Sequence, residues 1–220
     1  STSQALDASG AQVAILARAG QDLGKYGLKW SHLGFAYRTG EEKGQGVWRV
    51  VHKLNACGES TSSLYRQGLA EFFTDDPYKY EAAFVALRPE VARRLLPIFS
   101  DNAQLSRLHE PSYSMVAYPW AQTYQQSNQW ALETFALAME SDAGDRKRAQ
   151  AWLQFKDYRP TTLNLHAFQR LGARMTRANI AFDDHPGEKC WSDRIETVTV
   201  DSVFDWLLRK VDAEPLITVR

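Results

Sequence analysis

The stretch Lys29-Trp30-Ser31-His32-Leu33-Gly34-Phe35-Ala36-Tyr37-Arg38, then Thr39-Gly40-Glu41-Glu42-Lys43-Gly44-Gln45-Gly46, then Val47-Trp48-Arg49-Val50-Val51-His52-Lys53-Leu54 reads as a β-hairpin. Two runs rich in aromatic and β-branched residues flank a polar, Gly-rich connection, the pattern of paired strands. With Arg38 opposite Gly46, Ala36 falls opposite Trp48, Gly34 opposite Val50 and His32 opposite His52, all on one face. Opposed residues of an antiparallel pair have Cβ atoms roughly 4.5–5.5 Å apart, close enough for two imidazoles to share a hydrogen bond. One ring is then a base whose tautomer the other sets, the base-and-orienter half of a catalytic triad. Gly34 beside them leaves room for a substrate or a facing nucleophile. The competing reading is a sheet with two polar residues on a solvated face, and a one-residue slip would separate the rings.

Outward from the hairpin, Thr2 to Ser9 reads as the end of a helix, broken at Gly10, and Val13 to Arg18 as a buried strand. Leu64 to Phe73 is expected to be helical, Ala82 to Leu87 a strand, and Pro89 to Phe99 a helix with Pro in its first turn. Trp130, Leu132, Phe135, Leu137 and Ala138 recur at the spacing of a buried helix over Gln129 to Glu140. Ala149 to Phe155 is a further helix and Thr161 to Leu165 a short strand. Glu196 to Val200 alternates, and Asp201 is a candidate N-cap for a helix over Val203 to Val211. Strands gather in the first half without βαβ alternation, which predicts an α+β fold with a mainly antiparallel sheet, a single domain over residues 1–220.

Composition narrows the function. The 26 Lys and Arg balance 26 Asp and Glu, so the clustered basic surplus a nucleic-acid binder needs is missing. The chain is 44% hydrophobic with seven Trp, which excludes disorder. No apolar run approaches the ~20 residues of a membrane span. Cys57 and Cys190 are too few for a disulfide scaffold; no Cys57–Cys190 bond is expected, which leaves two free thiols or a Cys57 paired elsewhere. Ser1 is not an initiator Met, so a processed or trimmed chain is expected.

A nucleophile has to come from outside the hairpin. Tyr124-Gln125-Gln126-Ser127-Asn128-Gln129-Trp130 opens the apolar helix and sets Ser127 near its N-terminus, where free N–H groups and the dipole favour a developing oxyanion. An N-cap role explains the same serine without chemistry. Tyr26, Tyr118 and Tyr124 are candidates to line a cleft, with Gly34 and Asn128 beside them, although core packing explains tyrosines equally. Asp183, Asp184, His185 and Glu188 could hold a divalent cation, but Pro186-Gly187 makes the segment a turn, and no metal site is assigned. His109 and His166 read as surface or structural. Arg170, Arg174 and Arg177 read as a solvated basic stripe.

Four segments together are distinctive: Tyr26 to Phe35, Trp48 to Asn55, Tyr124 to Trp130, and Asn179-Ile180-Ala181-Phe182-Asp183-Asp184-His185-Pro186. They resemble an exported proteobacterial family catalogued only as a domain of unknown function. More distantly, a Ser-His-small-Gly strand, a second His one strand later and a nucleophile at a helix start are similar to the circularly permuted papain-like superfamily. That superfamily includes NlpC-type cell-wall peptidases and lecithin:retinol acyltransferases. The resemblance implies His32 as base, His52 as orienter and Ser127 as nucleophile. It also implies a periplasmic hydrolase or acyltransferase that needs no cofactor. Its substrate would be an envelope peptide, a peptidoglycan fragment or a lipid acyl group. The superfamily's nucleophile is Cys, which ionises near neutral pH beside an imidazole, whereas a Ser must lose its proton as it attacks. Three explanations stand: a natural Ser nucleophile, a Cys→Ser trapping variant, or a branch that lost catalysis. The rival class is a non-catalytic periplasmic binding or interaction module that retains the cleft.

Overall fold

The computed structural model describes residues 1–40, 46–56, 59–74, 77–164, 180–181, 183–188, 194–211 and 213–220. Cys57, Cys190, His166, Arg170, Arg174 and Arg177 lie outside the described residues. The order of elements is α1 (Thr2–Ala8), β1 (Val13–Ala19), β2 (His32–Thr39), β3 (Val47–Asn55), β4 (Ser62–Gly68), α2 (Leu69–Thr74), β5 (Lys79–Ala86) and α3 (Pro89–Ser100). Then follow α4 (Asn102–Ser106), α5 (Ser127–Met139), α6 (Arg146–Phe155), β6 (Thr161–Asn164), β7 (Arg194–Thr197), α7 (Val200–Lys210) and β8 (Ile217–Val219). The fold is α+β. Six strands form one sheet in the order β4-β3-β2-β1-β5-β8, every neighbour antiparallel, and β6 pairs with β7 apart from it.

Both faces of the sheet are covered, which is why the central strand β1 is buried at all seven positions. Odd-numbered residues of β1 and β2 (Ile15, Ala17, Leu33, Phe35) pack with Val51 against Leu95 of α3, Trp130 and Phe135 of α5, and Trp206 of α7. Even-numbered residues (Ala14, Leu16, Ala36) pack with Trp48 and Val50 against Leu6 of α1 and Phe72 of α2. Period-two alternation therefore assigns each side chain of the hairpin to one of two separate cores. Gly10, at φ +66°, ends the α1 segment in a conformation that suits glycine.

Four expectations are corrected. The hairpin register is shifted by two residues: Arg38 faces Trp48 and Ala36 faces Val50. A shift of two leaves every residue on its original face, so alternation alone cannot choose between the registers. The observed one lets the indole N–H of Trp48 donate to Asp7 of α1 at 2.8 Å. Leu64 to Phe73 is half strand and half helix: Ser62–Gly68 completes the ladder with β3, and the helix starts only at Leu69. Asp201 is not an N-cap. Thr199 and Ser202 form the capping box of α7, and the Asp201 carboxylate accepts from the N–H groups of Lys29 and Trp30 instead. The alternation over Glu196 to Val200 ends at Thr197, and Val200 is already helical.

Candidate functional site

The β2–β3 ladder runs from Thr39↔Val47 to Phe35↔Val51. Below it, the Leu33 N–H donates to Asn128 Oδ1 at 3.1 Å rather than to β3. The start of α5 is thereby fastened to the residue after His32. At this open end of the sheet lies a cleft of about 340 Å³ whose lining includes His32, Ser127, Asn128, Tyr26, Tyr113 and Arg18.

His32 and His52 meet as the spacing predicts, although diagonally. His32 Nε2 lies 2.8 Å from His52 Nδ1, and His52 Nε2 lies 2.8 Å from Gln67 Oε1 on β4. Gly34 makes the diagonal possible. A Cβ on Gly34 would fall 2.9 Å from His52 Cβ and 3.0 Å from the Val51 carbonyl oxygen. Phe72 closes over both rings, with centroids 5.8 Å from His32 and 5.1 Å from His52. Arg18, paired with His32 across β1, lays its guanidinium over the same phenyl ring at 5.2 Å. Burial first, and then repulsion from His52 and Arg18, holds the His32 imidazole well below the usual histidine range. It is therefore neutral at pH 7 and able to accept a proton.

Ser127 is the first residue of α5, and it is not the cap. Gln126 caps the helix: its side chain accepts from Asn128 N at 3.1 Å, and Gln129 returns to the Gln126 N–H at 3.4 Å. Two further bonds, from Gln126 Nε2 to Thr197 Oγ1 and to the Val198 carbonyl, lock that side chain in place. The structural explanation for Ser127 thus falls to its neighbour. The Ser127 hydroxyl interacts with the Tyr113 hydroxyl, a bond that opposes the rise of Tyr113 to about 12 imposed by burial. No hydrogen bond joins Ser127 to His32 among the described residues. The two approach the cleft from different sides, since α5 packs on the odd-numbered face and the histidines lie with Phe72 on the other.

The other candidates divide. Tyr26 lines the cleft and Gly34 backs the imidazole pair. Tyr124 does not line the cleft; its hydroxyl donates to Asp183 Oδ2 at 3.2 Å. Tyr118 packs on His185 with ring centroids 5.2 Å apart, and its N–H donates to Asp184. Burial raises the Asp184 carboxyl to about 6, and His185 reaches the Glu196 carbonyl. These residues anchor the turn to the loop before α5. Among the described residues they form no metal-binding group of three or more. His109 is half-buried, and burial pulls it down to about 4. Gln67, Tyr113 and Gln126 were not singled out from the sequence. Gln67 was hidden by reading its strand as helix, whereas Gln126 could have been found from the Gln126-x-x-Gln129 capping-box spacing.

The site defines an α+β protein with a hydrogen-bonded His32–His52 pair beside a helix-start serine at the open end of an antiparallel sheet. The chain belongs to the bacterial family described as "Uncharacterized protein conserved in bacteria (DUF2145)", whose profile matches residues 5–207. No curated protein and no solved structure matches it.

Proposed function

We propose that this chain is a periplasmic hydrolase or acyltransferase with a permuted papain-like arrangement, in which Ser127 attacks an amide or ester carbonyl. The observation that carries the reading is the Gln67–His52–His32 chain, which occupies His32 Nε2 and leaves Nδ1 as the candidate base of a residue that lines the same cleft as Ser127. His32 Nδ1 takes the hydroxyl proton as Oγ bonds to the carbonyl carbon, and the carbonyl electron pair moves onto oxygen. The Ser127 N–H at the helix start faces that oxyanion. Collapse breaks the bond to the leaving amine or alcohol, which takes the proton from Nδ1. Water or another acceptor then repeats the sequence and restores Ser127. Catalytic hydrogen bonds commonly tighten only once substrate is held, which accommodates the absence of a Ser127–His32 bond. The envelope substrates, an amide in a peptide or peptidoglycan fragment or a lipid acyl ester, follow from the resemblance alone.

The test is turnover of p-nitrophenyl esters and of peptidoglycan digests. Ser127→Ala and His32→Ala should each abolish it, with the double variant little worse than either, because the two act as a unit. Ser127→Cys should retain or raise it. Turnover that survives Ser127→Ala would leave the cleft as that of a binding module.

A further inference from the structure

We propose that Gln67 is a positioning residue that selects which nitrogen of His32 is basic, acting through His52 across three adjacent strands. The proposal deepens the acyl-transfer reading and rests on His32 as its base. Gln67 faces Val50 in the β3–β4 ladder, and its side chain reaches diagonally to His52 Nε2. His52 is only 1% exposed, with Phe72 against its ring, so solvent does not set its tautomer. When both rings are neutral, each imidazole has one N–H and one lone pair. In that state, with the Gln67 carbonyl oxygen as acceptor, His52 carries its hydrogen on Nε2 and its lone pair on Nδ1. His32 must then donate from Nε2, which leaves the lone pair on Nδ1, the nitrogen without a hydrogen-bond partner among the described residues. A donor at position 67 would invert every link: His52 would donate from Nδ1, His32 would accept at Nε2, and Nδ1 would carry the hydrogen and lose its basicity. The protonation pattern of the base is thus decided two side chains away, by whether residue 67 accepts or donates.

The prediction separates acceptor, apolar and donor side chains at one position. The full chain is labelled with 15N-histidine, and His32→Asn assigns the resonances. At an alkaline pH where both rings are neutral, His32 Nδ1 should show the shift of an unprotonated nitrogen in the native protein and in Gln67→Glu, which can only accept when ionised. Gln67→Leu should give mixed tautomers, and Gln67→Lys should move Nδ1 to the protonated position. Turnover should stay within about threefold for Gln67→Glu and fall by about 10–100-fold for Gln67→Leu, the range for a lost orienting partner. A fold defect would lower all variants together and would not be rescued by Gln67→Glu. An unprotonated His32 Nδ1 in both Gln67→Leu and Gln67→Lys, or a protonated one in Gln67→Glu, overturns the proposal. The spectra do not need a working nucleophile, so turnover surviving Ser127→Ala would sink the acyl-transfer reading while leaving the tautomer result to stand by itself.

Discussion

His52 and Lys53 are neighbours on β3, yet they serve two opposite polar designs, one on each face of the sheet. His52 belongs to a short chain, Gln67–His52–His32, whose last member lines the cleft. Lys53 belongs to a saturated, charged network. Its ammonium donates to the carbonyls of Glu110 and Gln125 and to Gln125 Oε1, each at 2.8 Å. Gln125 in turn donates to Glu133, which holds Arg146 at 2.8 Å and accepts from Gln129 and Gln150. Burial first, and then repulsion from Arg146, pulls Lys53 down to about 7. Every part of this second network grips the segment leading into Ser127. A buried polar group with all its partners supplied holds structure together, whereas the cleft-lining imidazole is the base of the proposed reaction.

The largest expected effect breaks the saturated side. Glu133→Leu leaves Arg146 buried without its carboxylate, and it should cost about 3–5 kcal/mol in urea unfolding. The same substitution should leave the 15N pattern of the histidines unchanged at temperatures where the protein is folded.

Next comes the wall behind the relay. Gly34→Ala places a methyl group within 3.0 Å of Val50, His52 and the Val51 carbonyl. Overpacking of this kind costs about 1–3 kcal/mol, and the His32–His52 bond should open with it. Retention of both the melting temperature and the histidine spectrum would show that the two strands yield more easily than their packing implies.

A pH effect distinguishes the two sides further. The unfolded chain protonates His32 near its ordinary pKa of ~6.5, while the folded chain holds it neutral to well below that. Between those two values the unfolded state binds more protons, so stability is full above pH 6.5 and declines as pH falls through the window. His32→Gln should flatten that part of the pH–stability curve. In turnover, the acid limb of the native profile should lie below pH 6.5 for the same reason.

The smallest effect is the most discriminating between cap and nucleophile. Gln126→Ala removes the cap of α5 and should cost about 0.5–2 kcal/mol. Ser127→Ala removes the bond to the buried Tyr113 hydroxyl and should cost about 0.5–1.5 kcal/mol, while leaving the first turn of α5 intact. Amide hydrogen exchange that shows the first turn of α5 fraying in Ser127→Ala and not in Gln126→Ala would restore Ser127 to a capping role.

The sequence revealed more of the pairing than of its register. Alternation in the hairpin put His32 and His52 on one face because a face depends only on parity, and parity survives a two-residue shift. The register itself is fixed by distant contacts such as Trp48 with Asp7, which no local pattern contains. Leu64 to Phe73 failed for a related reason: a half-exposed edge strand running straight into a helix carries neither a clean period of two nor one of 3.6. With it went Gln67, whose role exists only once β4 lies beside β3. Ser127 was placed correctly at the helix start, but residue preference pointed to the serine as the cap, and the glutamine pair took that position. Asp201 erred in the same way, as a good capping residue already engaged by the backbone at Lys29 and Trp30.

The central claim is that the available nitrogen of His32 activates Ser127, and a serine-directed fluorophosphonate tests it most directly. Intact-mass and peptide analysis of the full chain should show one adduct, on Ser127, that disappears in Ser127→Ala. In His32→Ala the labelling rate should fall by about 10²–10⁴-fold, the contribution of a general base. A native protein that stays unlabelled, or one whose Ser127 labels at the same rate without His32, would contradict the account.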